Sequence, residues 1–406
     1  MCPWRKGTLT PHDSVQVNLI RRRGFLLSVI AIPPALWSGT GAKETPLLTS
    51  ADDYPVHQTP EPIACVGTSD RNFYDRFFFN GYARDGSTFF AAAMGQYPNR
   101  HVMDAAFNVI HRGRQYVVRA SRRAPADRME TTVGPIAISV IQPLRTFRLV
   151  VQPNAFEISG DLTLTARAGV IEEPRFFRRI DGRVFMDYTR LTQHVAVEGT
   201  LTIAGETVRV TPDRFWGSRD RSWGIRPVGE REAGAPGPFQ FFWLWSPVNF
   251  EDLCTHFDVN DEADGSRWHE AGMIAPVGGE VEMMKSVDYR IDWQSGTRHA
   301  KHAEIILRRR SGEESVLALK PLYNFYMIGL GYQHPQWGHG MWVGENEVGG
   351  ESWALKDVDP AIPLYLHIQA ICEATLGKRR GIGILEQLVI GPHQPSGFKD
   401  LLDLAP

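Results

Sequence analysis

The stretch VDYRIDWQSGTRHAKHAEIILRRRSGEESVLALKP, residues 287–321, decides the fold class. In its first run Val287, Tyr289, Ile291 and Trp293 alternate with Asp288, Arg290, Asp292 and Gln294. Successive side chains of a strand point to opposite faces, so this run has one apolar face and one wet face. An antiparallel sheet that covers a core on one side carries that pattern. Ser295-Gly296 and Ser311-Gly312 then read as hairpin turns separating three strand-like runs.

The same rhythm extends in both directions. FNVIHRGRQYVVRASR (107–122) is two runs around an Arg-Gly turn. FRLVVQPNAFEISGDLTLTAR (147–167) repeats the plan, with turn signals at Pro153-Asn154 and Gly160-Asp161. GTLTIAGETVRVTP (199–212) is a hairpin with Gly205 at its tip. The 38 glycines and 27 prolines favour many short strands over long helices. A short C-terminal helix is expected at GFKDLLDLA (397–405). VGEREAGAPGP (228–238) reads as a linker, placed at 229–238, between β domains spanning 46–228 and 239–406.

The first 45 residues stand apart. Arg22-Arg23-Gly24-Phe25-Leu26 resembles a twin-arginine export signal, followed by an apolar run too short to span a bilayer. Export to the periplasm is one reading; a cytoplasmic protein with a misassigned start is the other. Beyond this leader no segment reads as a transmembrane helix.

Composition excludes several function classes. A formal net charge of −2 gives no basic field to gather nucleic acid. The four cysteines are far apart and form no C-x-x-C pair, so they read as free thiols. No P-loop, G-x-S-x-G elbow or H-E-x-x-H is present, and GIGILE (381–386) lacks the third glycine of a dinucleotide fingerprint. His334 and His339, or His299 and His302, have metal-like spacing but no nearby carboxylate or thiolate partners. Neither a metal nor a cofactor is expected.

What remains is GSRDRSWGIR (217–226). Arg219, Arg221 and Arg226 around Asp220 would hold that carboxylate ionised and oriented. Asp220 then reads as a base, an electrostatic partner or an orienting group, Arg219 and Arg226 as holders of a polar substrate group, Trp223 as an apolar face packing on the substrate skeleton, and Arg221 as a further binding residue. An ion-pair corner closing a barrel end, lidded by Trp223, would use the same residues without chemistry. Four further stretches share the composition: EEPRFFRR (172–179), FMDYTRLTQ (185–193), DRFFFNGYARDG (75–86) with Asp75 and Arg76, and GQYPNRHVMDAAF (95–107) with Arg100 and Asp104. In a strand, Tyr188 and Arg190 share one face, and Asp187 and Thr189 the other. In FQFFWLWSPVNF (239–250) Phe241, Trp243 and Trp245 share a face opposite Phe242 and Leu244, so the strand is buried or walls an apolar cavity. His256 and His334 are the titrating groups expected beside such walls.

G-S-R-D-R-S-W-G, Gly217 to Gly224, is similar to a stretch of the AttH-like proteins, which include the hydroxyneurosporene synthases (acyclic-carotenoid hydratases). DRFFFNGY, QYPNRHVMDAAF and MDYTRLTQ share in that resemblance. It implies two lipocalin-like barrels in tandem, with apolar ligands bound inside or between them. It also implies cofactor-independent hydration, dehydration or cyclisation of terpenoid or polyketide skeletons. Many such proteins carry an aromatic-His-Asp-His run where this chain has Ser218-Arg219-Asp220-Arg221. Guanidiniums do not titrate near neutral pH, so the change points to an anionic or carbonyl-bearing substrate. The function expected is a lyase, hydratase or isomerase acting on a hydrophobic small molecule, and the alternative is a carrier of such molecules.

Overall fold

The computed structural model describes residues 47–230 and 239–406; the leader and residues 231–238 of the linker lie outside them. Among the described residues there is no α-helix, only short 3-10 turns between strands. No helix among the described residues is long and apolar enough to cross a membrane.

Two antiparallel sheets carry the fold. The first runs from Glu347–Ala354 through Arg114–Arg123, Val102–His111, Thr88–Tyr97, Phe73–Ala83, Phe215–Ile225 and Arg183–Ile203. It continues through Ile158–Ala166, Thr146–Val151 and Ile136–Gln142 to Thr132–Val133. The second runs from Glu282–Met283 through Arg267–Pro276, Leu253–Asp261, Phe241–Trp245 and Arg379–Ile390. It ends with Ile368–Leu376, Glu314–Tyr326, Ala300–Arg308 and Ser286–Trp293. The strand Glu347–Ala354 leaves the second half of the chain and pairs with Arg114–Arg123.

Strand twist curls each sheet over its own concave face. Phe79, Phe90, Phe107, Phe147 and Leu164 fill the first concavity, and Phe257, Ile305, Leu307, Leu319 and Leu385 the second. Both interiors are packed with side chains. The alternate residues of the central strands form a third apolar layer where the sheets meet, with Phe78, Phe89, Trp243, Trp245 and Phe325. This explains why the strand Thr88–Tyr97 is buried at every position: it has a core on each face. Phe241–Trp245 does likewise, with Phe242 and Leu244 in the second core and Trp243 and Trp245 in the layer between sheets.

The hairpins expected at Arg112-Gly113 and Ala204-Gly205 form, and all four residues have positive φ, as a tight two-residue hairpin turn requires. Two expectations fail for physical reasons. Gly160-Asp161 lies inside the strand Ile158–Ala166, not in a turn. A Cβ on Gly160 would stand 2.8 Å from Leu201 and 2.9 Å from the Thr200 carbonyl, so the glycine permits a close strand approach. Residues 397–405 form no helix, because their carbonyls are used elsewhere. Arg298 donates to the Asp400 and Asp403 carbonyls, and Gly391 donates to that of Leu401.

Candidate functional site

The site follows from the register of three adjacent strands. Phe215–Ile225 lies between Phe73–Ala83 and Arg183–Ile203, and side chains level with one another across a sheet share a face. Ser218 is level with Asn80 and His194, and Asp220 with Phe78 and Thr192. Ser222 is level with Arg76 and Arg190, and Gly224 with Tyr74 and Tyr188. All of these face the second sheet. Gly224 is required there: a Cβ would stand 2.7 Å from that of Tyr188, and without it the Tyr74 and Tyr188 rings meet edge to face at 6.0 Å.

Between the sheets this face borders a cavity of about 610 Å³. Phe78, Phe241, Trp243, Trp245, Met327 and Leu388 give it apolar walls. Its polar groups include Asp220, Arg76, Arg226, Tyr188, Arg190, Tyr332, His367 and Glu386, with Ser222, Glu230, His334 and His339 also on its lining. The cavity therefore lies between two packed half-barrels rather than inside either one.

Asp220 borders the cavity while protein surrounds it on every other side. Among the described residues its carboxylate receives no hydrogen bond. Burial pushes its pKa up to about 6, against the opposing pull of Arg190, Arg76 and Arg226. The expectation that its sequence neighbours hold it ionised fails because Arg219 and Arg221 point the other way. Arg219 stacks on Phe147 at 4.1 Å and donates to Gln193 Oε1 at 2.9 Å. Arg221 stacks on Phe77 at 4.2 Å, pairs with Asp75 and donates to the Arg76 carbonyl. Trp223, on the same face as these two, is 39% exposed.

Arg190 is the central cation of the wall. Its Nε donates to Glu173 Oε2 at 2.6 Å and its Nη2 to Asp258 Oδ2 at 2.7 Å. Its guanidinium lies 4.6 Å from the ring centres of both Phe176 and Trp243. Thr192 donates to Glu173, and His269 Nε2 lies 3.3 Å from Asp258 Oδ2. Burial raises Glu173 despite Arg190; for Asp258 burial is outweighed by His269 and Arg190, and its pKa falls. Glu173, Asp258 and His269 present ligand atoms close enough to hold a metal ion. The Arg190 guanidinium already bridges the two carboxylates, which makes this donor set a poor fit for a second cation. His256 sits behind the network, 3.5 Å from Glu173, with burial driving its pKa down to about 4. It is neutral and does not reach the cavity.

A second titratable pair faces the cavity from the other sheet. His367 Nε2 lies 2.7 Å from Glu386 Oε1, Gln369 donates to Glu386 Oε2 at 2.7 Å, and Trp243 Nε1 donates at 3.3 Å. Burial alone would raise Glu386, but these bonds prevail and its pKa falls. His367 Nδ1 is buried and has no partner. A chain of buried hydrogen bonds links this pair to the first sheet, from Ser218 to Asn80, then Gln369, then Glu386.

The structure thus brings Asp220, Arg226, Tyr188, Trp243, Trp245 and His334 to one cavity and places Arg219, Arg221, Trp223 and His256 outside it. His334 caps a turn, its Nδ1 accepting from the Gln336 and Trp337 amides. Sequence reasoning marked Arg76 only as one charge among aromatics, and gave no role to His367 and Glu386. Alternation in FYDRFFFNGYA (73–83) put Arg76 level with Phe78 and Asn80, and was the available signal. Nothing local pairs His367 with Glu386, which meet only across the hairpin that sets Gln369 opposite Glu386.

A family model described as a family of unknown function (DUF8625) matches residues 48–399. The chain belongs to this family. Among solved structures, the DUF8625 chain is similar to a protein of Nitrosomonas europaea designated AttH, with TM-score 0.51 and 13% identity. The match covers 78% of this chain and 92% of that one. Kievitone hydratase from Nectria haematococca matches with TM-score 0.48 and 12% identity, over 80% of this chain and 93% of that one. CghA with Sch210972 matches with TM-score 0.48 and 12% identity, over 79% and 89%. No curated protein matches the sequence. The AttH-like architecture expected from Gly217–Gly224 is the fold found; at 13% identity that likeness concerns the fold alone.

Proposed function

We propose that this DUF8625 protein is an acid–base lyase, hydratase or isomerase whose hydrophobic small-molecule substrate occupies the cavity between the sheets. One observation carries the reading. A carboxyl group with a pKa of about 6 borders an aromatic-walled space that also holds a His–Glu pair. Proton transfer is most effective when the catalytic pKa lies near the working pH, and Asp220 meets that condition. Addition or loss of water, or migration of a double bond, needs a proton delivered to one atom and removed from another. Asp220 and His367 supply the two ends from opposite walls, with Glu386 orienting the imidazole. The aromatic faces of Trp243 and Trp245 stabilise positive charge that develops on an apolar skeleton.

The test starts from the ligand the protein itself selects. Apolar molecules extracted from the purified chain are identified by mass spectrometry and returned to wild type and to Asp220→Asn in deuterated water. Deuterium uptake, or a gain or loss of one water, in wild type and not in the variant supports the reading. Unchanged ligand in both, with retention intact, favours the carrier.

A further inference from the structure

The cavity holds two arginines that make no direct ion pair among the described residues. Arg190 is matched by Glu173 and Asp258, and Glu386 by His367. No carboxylate forms an ion pair with Arg76 or Arg226 among the described residues, and both line the same space. Arg76 is 2% exposed; its Nη1 donates to the Tyr332 hydroxyl at 2.7 Å, and its Nη2 is buried without a partner. The Arg226 guanidinium lies 4.4 Å from the Tyr74 ring centre, and its Nη2 is also buried without a partner.

Buried guanidinium N–H groups left unpaired cost several kcal/mol, so native proteins almost always satisfy them. Two arginines with such groups line one cavity, beside the phenols of Tyr74 and Tyr332, and together they form a site for an oxyanion. Guanidiniums match carboxylates with paired, charge-assisted hydrogen bonds. Asp220 is on the same wall, yet accepts no hydrogen bond from either arginine, so the donors are not there to hold it.

We propose that Arg76 and Arg226 anchor a carboxylate on an otherwise apolar substrate, leaving its skeleton against Trp243 and Trp245 and within reach of Asp220. This rests on the reading of the cavity as the substrate site and names the substrate class: amphipathic carboxylic acids with a rigid hydrophobic body. Anchoring by two fixed cations would also select the substrate's orientation, since the apolar walls alone cannot tell one end of a skeleton from the other.

Binding of two fluorescent probes of nearly equal shape, pyrenecarboxylate and pyrenemethanol, tests the proposal on the full-length protein without requiring turnover. Wild type is expected to prefer the carboxylate by about tenfold or more, the value of one net charge-assisted hydrogen bond. Arg76→Met and Arg226→Met should each reduce that preference and together abolish it, with pyrenemethanol affinity little changed. Arg226→Lys, which keeps the charge in place and is the milder change if the methionine variants fail to fold, should retain part of the preference. Equal binding of both probes by wild type overturns the anchor and leaves the cavity reading intact. Binding of neither overturns both.

Discussion

The two faces of the strand Phe215–Ile225 carry similar residues and behave oppositely. One face presents Arg219, Arg221 and Trp223. There each guanidinium lies on a phenylalanine ring, each has a hydrogen-bond acceptor, and the indole meets solvent. The other presents Asp220 and Ser222 to the cavity, with Ser218 buried behind them on the same face; there Asp220 has no hydrogen-bond partner among the described residues, and arginines from neighbouring strands act on it. Charge density along the chain therefore marks where a sheet is polar. Alternation decides which of those charges can do chemistry.

Substitutions on the two faces can break or sharpen that contrast. The largest effect belongs to Asp220→Asn, which should lower turnover of the extracted ligand by roughly 10²–10⁴-fold, the usual range for loss of a general acid or base. The control on the opposite face, Arg219→Lys, should leave turnover within a few-fold. Next comes Arg190→Gln, which leaves Glu173 and Asp258 without their cation. It should cost about 3–5 kcal/mol in chemical denaturation, or prevent folding outright.

The third effect is a gain. Because the folded pKa of Asp220 is raised to about 6 from 3.8, the folded state binds the extra proton and loses stability as pH rises between those values. Asp220→Asn removes that loss, so it should stabilise the protein above about pH 7 by up to roughly 3 kcal/mol. The gain should fade as pH falls toward about 4, and thermal melting across that range reads it directly. The smallest effect is expected for Trp223→Ala, within about 0.5 kcal/mol and without loss of pyrenecarboxylate binding. A strong binding defect in that variant would return the indole to the site.

Much of the fold was legible because strand alternation is a local property. Val287 to Trp293, the Arg112-Gly113 turn, and the opposed faces of Phe241–Trp245 were all readable from nearest neighbours. Gly160 was misread because a glycine that admits a neighbouring backbone looks the same in sequence as one that turns the chain. The C-terminal segment was misread for a related reason: Arg298, far away in sequence, takes its carbonyls. The site was less legible than the fold. Asp220 stood out, but its partners Arg76, Arg190 and Arg226 reach it from two other strands and a strand end. Burial, which dominates its pKa, is not written in the residues beside it.

The pairing of Glu347–Ala354 with Arg114–Arg123 has a consequence for biosynthesis. During translation the strand Arg114–Arg123 emerges with that ladder edge unsatisfied, and the strand that covers it follows only after more than 220 further residues. Until that strand is made, the edge of Arg114–Arg123 presents unpaired backbone groups of the kind that pair with other chains. His367 and Glu386 of the cavity wall lie beyond that strand in the chain, so the cavity can be completed only after the edge has received its cover.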